Sequence, residues 1–232
     1  MEKAAEKARE GDLAYFEALS PEELTRLCKR KDEDERSLLH NAATSGNLEL
    51  CQLLVTRGGS AGVVNDKDEE GWTPLQSAAS CGHEAVVDLL LALGAEVNAA
   101  NSGGRTALHY AASKGRAAVL RQLLQAGARA NAADSTGSTA LHRAASAGKA
   151  EAVAVLVEQG RAAIDPQDKQ GCTPLFIAVQ VDAAQVAFYL VSKGAGLEVA
   201  NKDGETPLSI AGENAPALKS AAAQRGGGME VD

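Results

Sequence analysis

Residues 104–132 read GRTALHYAASKGRAAVLRQLLQAGARANA, and the same phrase returns along the chain. GWTPLQSAASCGHEAVVDLLLALGAEVNA occupies 71–99, GSTALHRAASAGKAEAVAVLVEQGRAAID 137–165, GCTPLFIAVQVDAAQVAFYLVSKGAGLEV 171–199 and GETPLSIAGENAPALKSAAAQ 204–224. The threonines that open it, Thr73, Thr106, Thr139, Thr173 and Thr206, are spaced by 33, 33, 34 and 33 residues. Upstream, RSLLHNAATSGNLELCQLLVTRGG (36–59) carries Ser37 in the threonine position, 36 residues before Thr73, and the three extra residues fall in the loop GGSAGVVNDKDEEG. Before it, KAREGDLAYFEAL keeps only the small-residue and glycine positions, with Gly11 lying 35 before Gly46. Self-similarity at a fixed period marks a repeat architecture. The expected units are 1–34, 35–70, 71–103, 104–136, 137–170, 171–203 and 204–225, with 226–232 as a flexible C-terminal tail.

Each position of the phrase has a physical reading. Thr-Pro starts a helix, because threonine caps the free N–H groups and proline needs no donor in the first turn. Leu75, Leu108, Leu141 and Leu175 face a neighbouring unit, and the pairs Ala78–Ala79, Ala111–Ala112 and Ala144–Ala145 let helices approach closely. Gly46, Gly82, Gly115 and Gly148 end that first helix. VVDLLLALG and VLRQLLQAG are apolar at i, i+3 and i+4, predicting a second helix. Asp, Asn and Gly then favour a tight turn into the next unit. One unit cannot bury its own apolar face, so neighbours stack into a core one repeat wide, and the charged stretch KAAEKAREGD suits an end cap.

Composition agrees with a slender core. Aromatic residues make up 3 % of the chain against 45 % hydrophobic, and Trp72 is its only tryptophan. A thick core of 232 residues would use more large rings. A net charge of −8 argues against a general phosphate-binding surface, so no nucleic acid is expected. MEKAAEKARE lacks the apolar stretch of a secretory signal, and no run approaches the roughly 20 apolar residues of a membrane span. Cys28, Cys51, Cys81 and Cys172 lie far apart, as reduced thiols of a cytosolic or nuclear protein.

The T-P-L-H-x-A signature and the period resemble those of the ankyrin repeat, over nearly the whole chain. The resemblance implies an all-α solenoid of seven helix-turn-helix units joined by β-hairpin-like loops. It also assigns the histidines. His40, His109 and His142 fill the H of the signature and His83 follows a helix-ending glycine, so all four are expected to brace turns. None is left to serve a nucleophile. Phosphate loops, G-x-G-x-x-G and H-E-x-x-H are absent from the sequence, and Asp32–Glu35 lacks the spacing of a calcium loop. No enzyme, catalytic residue, metal or cofactor is expected.

Ankyrin solenoids bind partners on the concave side, built from hairpin tips and inner helices. By the resemblance the tips are Asp34–Arg36, Glu69–Trp72, Ser102–Arg105, Ser135–Ser138, Gln170–Cys172 and Asp203–Glu205. Asn41, Ser77, Tyr110, Arg143 and Ile177 are expected on the exposed inner-helix face, with Lys114 one turn beyond Tyr110. Partner-binding candidates are Asp34, Arg36, Glu69, Glu70, Trp72, Arg105, Tyr110, Lys114 and Arg143. Trp72 has two readings, a partner anchor or a ring packed on the neighbouring hairpin. Charge is segregated: Asp66–Glu96 holds seven acids against Lys67, whereas Val97–Lys149 holds seven bases against Asp134. A protein partner with basic groups followed by acidic ones fits that order.

VNDKDEEGWTPL, HYAASKGR and HRAASAGK further resemble the gankyrin family, ankyrin-repeat chaperones of proteasome regulatory-particle assembly. Members clasp the C-terminal domain of an AAA-ATPase subunit, as monomers of cytoplasm and nucleus. The resemblance implies that Arg36 and Lys114 pair with acidic groups of the ATPase and that Asp34 and Glu69 meet its basic groups. A scaffold or inhibitor in signalling or transcription is the alternative. LELCQLL and LTRLCKR both lack the L-x-C-x-E spacing of retinoblastoma binding, so that interaction is not expected.

Overall fold

The structure, a computed structural model, describes residues 1–58 and 61–226. The expected tail beyond 226 and part of the long loop after residue 58 lie outside the described residues. Fifteen α-helices are seen among those residues: α1 Glu2–Glu10, α2 Leu13–Glu17, α3 Pro21–Cys28, α4 Leu38–Ser45, α5 Leu48–Thr56, α6 Pro74–Cys81, α7 Glu84–Ala92, α8 Ala107–Lys114, α9 Ala117–Gln125, α10 Ala140–Ser146, α11 Ala150–Glu158, α12 Pro174–Gln180, α13 Ala184–Ser192, α14 Pro207–Ile210 and α15 Ala215–Gly226. A single antiparallel bridge, Lys31 to Ser37, is the only β pairing among the described residues. The architecture is the expected all-α solenoid.

From α4 onward the helices alternate between two layers. The inner layer, α4, α6, α8, α10 and α12, packs in sequence, and the outer layer, α5, α7, α9, α11 and α13, packs behind it. The alanine pairs explain the closeness of the inner layer. Ala78, Ala79, Ala111, Ala112, Ala144 and Ala145 are wholly buried, so backbones meet where larger side chains would hold them apart. The core is built of leucine, valine and alanine, and among the described residues Phe16 and Phe176 are the aromatic rings buried in it.

The helix starts follow the threonine reading. Ser37, Thr73, Thr106, Thr139, Thr173 and Thr206 are N-caps, and Ser37, Thr73, Thr106, Thr139 and Thr206 form reciprocal capping boxes. In three units the reciprocal partner is histidine: Nδ1 of His40, His109 and His142 accepts the N-cap backbone N–H at 3.1–3.2 Å. That fixes the proton on Nε2, which donates to a carbonyl of the next unit: Trp72 at 2.9 Å, Ser138 at 3.2 Å and Cys172 at 3.0 Å. Gln76 does the same work without a ring, accepting from Thr73 N–H and donating to Ala99 and Arg105 carbonyls. Burial holds all three histidines below the usual imidazole range. They are neutral braces between units.

The N-terminal end departs from the repeat. Between α2 and the first tip lies α3, an added helix with its own capping box from Ser20 and Glu23 and a proline in the first turn. It packs on α4, as does α1.

Candidate protein-binding face

The tips are built from one recurring residue. Asp32, Asp68, Asn101, Asp134, Asp168 and Asn201 each begin a tip, and the side-chain Oδ1 accepts the backbone N–H four residues on, at 2.7–3.1 Å. An Asp or Asn here closes the turn from within, because its short acceptor reaches its own backbone. The turn then needs a left-handed residue, supplied by Gly71, Gly104, Gly137, Gly171 and Gly204, and in the first tip by Glu35 at φ 58°. Consecutive tips are joined by backbone bonds: Glu69 N–H to Asp34 O, Ser102 to Glu70, Ser135 to Gly103, Lys169 to Thr136 and Lys202 to Gln170, each about 3 Å. The row of tips is a continuous hydrogen-bonded edge.

In three tips the second side-chain atom of this residue pairs with the inner helix. Nine residues on, Asn41 Nδ2 donates to Asp32 Oδ2 at 2.9 Å, and Asn101 Nδ2 donates to the Tyr110 hydroxyl at 2.8 Å. Arg143 clasps Asp134 Oδ2 through Nε and Nη2, and Arg105 reaches the same oxygen at 3.4 Å. Arg36 spans the gap for Asp68, giving Nη1 to its carboxylate at 3.4 Å and Nη2 to Ser77 Oγ and Thr44 Oγ1. The Asp134 side chain is fully buried. Burial alone would raise its carboxyl, yet bonds from Thr136 and the Arg143 guanidinium outweigh that and hold it well below the usual carboxylate range.

Five of the nine candidates, Asp34, Arg36, Glu69, Glu70 and Trp72, line one cleft of about 330 Å³ with Asp68. Tyr110 joins them through Trp72, the two rings lying 4.0 Å apart at 33°. The tryptophan therefore packs on the next inner helix, and the pair presents one composite aromatic ledge. Arg105, beside Tyr110, and Arg143 meet at Asp134. Lys114 ends α8, exposed, and makes no ion pair among the described residues. Two inner-helix residues expected on the open face are buried instead: Asn41 and Ser77 are 1 % and 3 % exposed, drawn inward by Asp32 and Arg36. Missed by sequence reasoning were Asn101 and Asp134, although tip residues recur at 36, 33, 33, 34 and 33 residues, the spacing of the threonines.

The Cys51 thiol is pushed up to about 12 by burial, far from a reactive thiolate. Among the described residues no group of three or more His, Cys, Asp or Glu is placed to hold a metal, and no helix is long and apolar enough to cross a membrane.

Comparison with known proteins gives the same fold. The chain is 47 % identical over 66 residues to the 26S proteasome non-ATPase regulatory subunit 10 of Dictyostelium discoideum, a stretch covering 28 % of each chain. It is 46 % identical over 66 residues to protein phosphatase 1 regulatory subunit 27 of Mus musculus, covering 28 % of this chain and 41 % of that one. A shorter share, 6 % of the relative, matches the human transient receptor potential cation channel subfamily A member 1 at 43 % over 65 residues. The matched stretches thus span less than half the length of these relatives. A family model described as Ankyrin repeats (3 copies) matches residues 4–101, 39–134 and 94–167. With tips, inner helices and outer helices in that family's order, the chain belongs to the ankyrin-repeat family, whose repeats serve protein binding.

Proposed function

We propose that this chain is a non-catalytic chaperone of proteasome regulatory-particle assembly, holding the C-terminal domain of an AAA-ATPase subunit in its concave face. The observation that carries the reading is the cleft of Asp34, Glu69, Glu70 and Trp72, followed along the same face by the exposed Lys114. That acidic-then-basic order suits a partner with basic groups followed by acidic ones, and opposite fields speed encounter and set register. Likeness to the Dictyostelium proteasome subunit supports the identity of the partner. The chain acts by binding alone, as a monomer of cytoplasm and nucleus, without cofactor.

The test is affinity capture from native lysate with the tagged chain. Regulatory-particle ATPases should be recovered without core-particle subunits. Recovery of a phosphatase, kinase or transcription factor with no ATPase would replace this reading with that of a regulatory scaffold. The likeness to protein phosphatase 1 regulatory subunit 27 favours that second reading.

A further inference from the structure

The row of tip carboxylates is internally paired except at one place. Asp68 has Arg36 and Asp134 has Arg143 and Arg105, whereas among the described residues the Asp168 side chain engages only its own turn, through Oδ1 to the N–H groups of Gln170 and Cys172. The residue nine positions on, where Arg143 stands for Asp134, is Ile177. Beside it Val181 is 46 % exposed, one of two large apolar side chains so open among the described residues. Ile177 and Val181 line a cleft of about 470 Å³ whose rim carries Asp168, Asp203 and Glu205. Its cationic neighbour, Arg143, is already held by Asp134 and Thr136.

We propose that this cleft, over α12 and the last two tips, is a second docking point for a protein partner, receiving an arginine beside an aliphatic side chain. The guanidinium lies against Asp168, in the relation that Arg143 takes to Asp134 within the chain, and the aliphatic group covers Ile177 and Val181. Arginine is favoured over lysine because its planar fork matches a carboxylate and its stem is apolar. Asp203 and Glu205 supply the remaining negative field, and Arg143, the cation that lines the cleft, is already neutralised by Asp134. The inference deepens the concave-face reading and uses a part of the face distant from Trp72.

The test uses the full chain and two labelled 14-residue helical peptides, one with arginine and leucine a helical turn apart, the other with glutamate for the arginine. Ile164, Ile177 and Ile210 are the chain's only isoleucines, so isoleucine methyl NMR reads the site directly. The arginine peptide should move the Ile177 signal, leave Ile164 unmoved and bind at least fivefold more tightly than the glutamate peptide. Asp168→Asn keeps the turn, as Asn101 and Asn201 do, and should weaken the arginine peptide at least fivefold. Ile177→Arg should supply the missing cation in cis, raise the melting temperature and abolish peptide binding. Equal binding of the two peptides, an unmoved Ile177 signal, or Asp168→Asn within twofold of the parent chain would overturn the proposal. Capture of no ATPase would refute the chaperone reading and leave this outcome untouched. Conversely, a failed peptide test alongside captured ATPase removes only the second docking point.

Discussion

Asp134 is the most informative single residue, because its two carboxylate oxygens do separable jobs. Oδ1 accepts Thr136 and Ser138 N–H at 2.9 and 3.1 Å and so shapes the tip. Oδ2 takes the Arg143 and Arg105 guanidinium groups and so ties the tip to α10 and the preceding tip. Asp134→Asn keeps Oδ1 but turns Oδ2 into a donor facing two donors. Arg143 and Arg105 are 24 % and 40 % exposed and can swing towards water, which limits the loss to about 1–2 kcal/mol. Asp134→Ala also strands two backbone donors, at about 1 kcal/mol or more each, for a total of about 3–4 kcal/mol. Adding Arg143→Tyr to Asp134→Asn recreates the Asn101–Tyr110 pair of the preceding unit and should recover about 1 kcal/mol. Urea unfolding followed by helical circular dichroism reads all three. The reasoning fails if alanine and asparagine cost the same within about 0.5 kcal/mol, or if tyrosine worsens the asparagine variant.

Other substitutions follow from the same repeat logic. Glu35 occupies the glycine slot of the first tip at φ 58°, so Glu35→Gly should stabilise by about 1 kcal/mol in the same unfolding assay. Asn65 and Asn98 donate Nδ2 to the Gly94 and Gly127 carbonyls 29 residues on, while Asp165 leaves a buried Oδ1 unpartnered in that register. Asp165→Asn should therefore supply the missing donor towards Gly194 and raise the urea midpoint by about 1 kcal/mol of stability. For pH, the sign comes from the histidines: burial lowers the folded values of His40, His109 and His142, so the unfolded chain binds the extra protons. Their stability is fully present above about pH 6.5 and is lost as pH falls through the folded values. Urea midpoints should thus drop on acidification from pH 7.5 to 5.5, and less so in His109→Gln, which copies Gln76.

The solenoid was readable because its determinants are local and periodic. Thr-Pro caps, alanine pairs and helix-ending glycines each dictate their own turn of backbone, so the recurring phrase carries the architecture. Helix α3 escaped notice because it belongs to no repeat, although Ser20-Pro21-Glu22-Glu23 is itself a helix-start signature. The binding face was less legible, since it depends on which polar groups pair internally. Arg105 and Arg143 read as partner contacts in a basic segment, but Asp134 lies 29 and 9 residues away and draws both. The ankyrin resemblance puts Asn41 and Ser77 on the open side, and hydrogen bonds to Asp32 and Arg36 bring them under cover. Trp72 and Tyr110 lie 38 positions apart in the chain, so only the stacked units reveal them as one ledge.

Internal pairing also changes which charges report on a partner. Arg36 braces Asp68, Thr44 and Ser77, so reversing its charge would disturb the tip itself. Lys114 is the cleaner probe. Lys114→Glu should weaken partner binding several-fold with an unchanged urea midpoint.

The central claim, that a regulatory-particle ATPase C-terminal domain seats in the concave face, is tested most directly by hydrogen–deuterium exchange of the chain with and without that recombinant domain. Protection should appear at the tips 68–72, 101–105 and 134–138 and on α6, α8 and α10, with α7, α9 and α11 unchanged. Protection confined to the outer helices, or no protection at a saturating concentration of the domain, would contradict it.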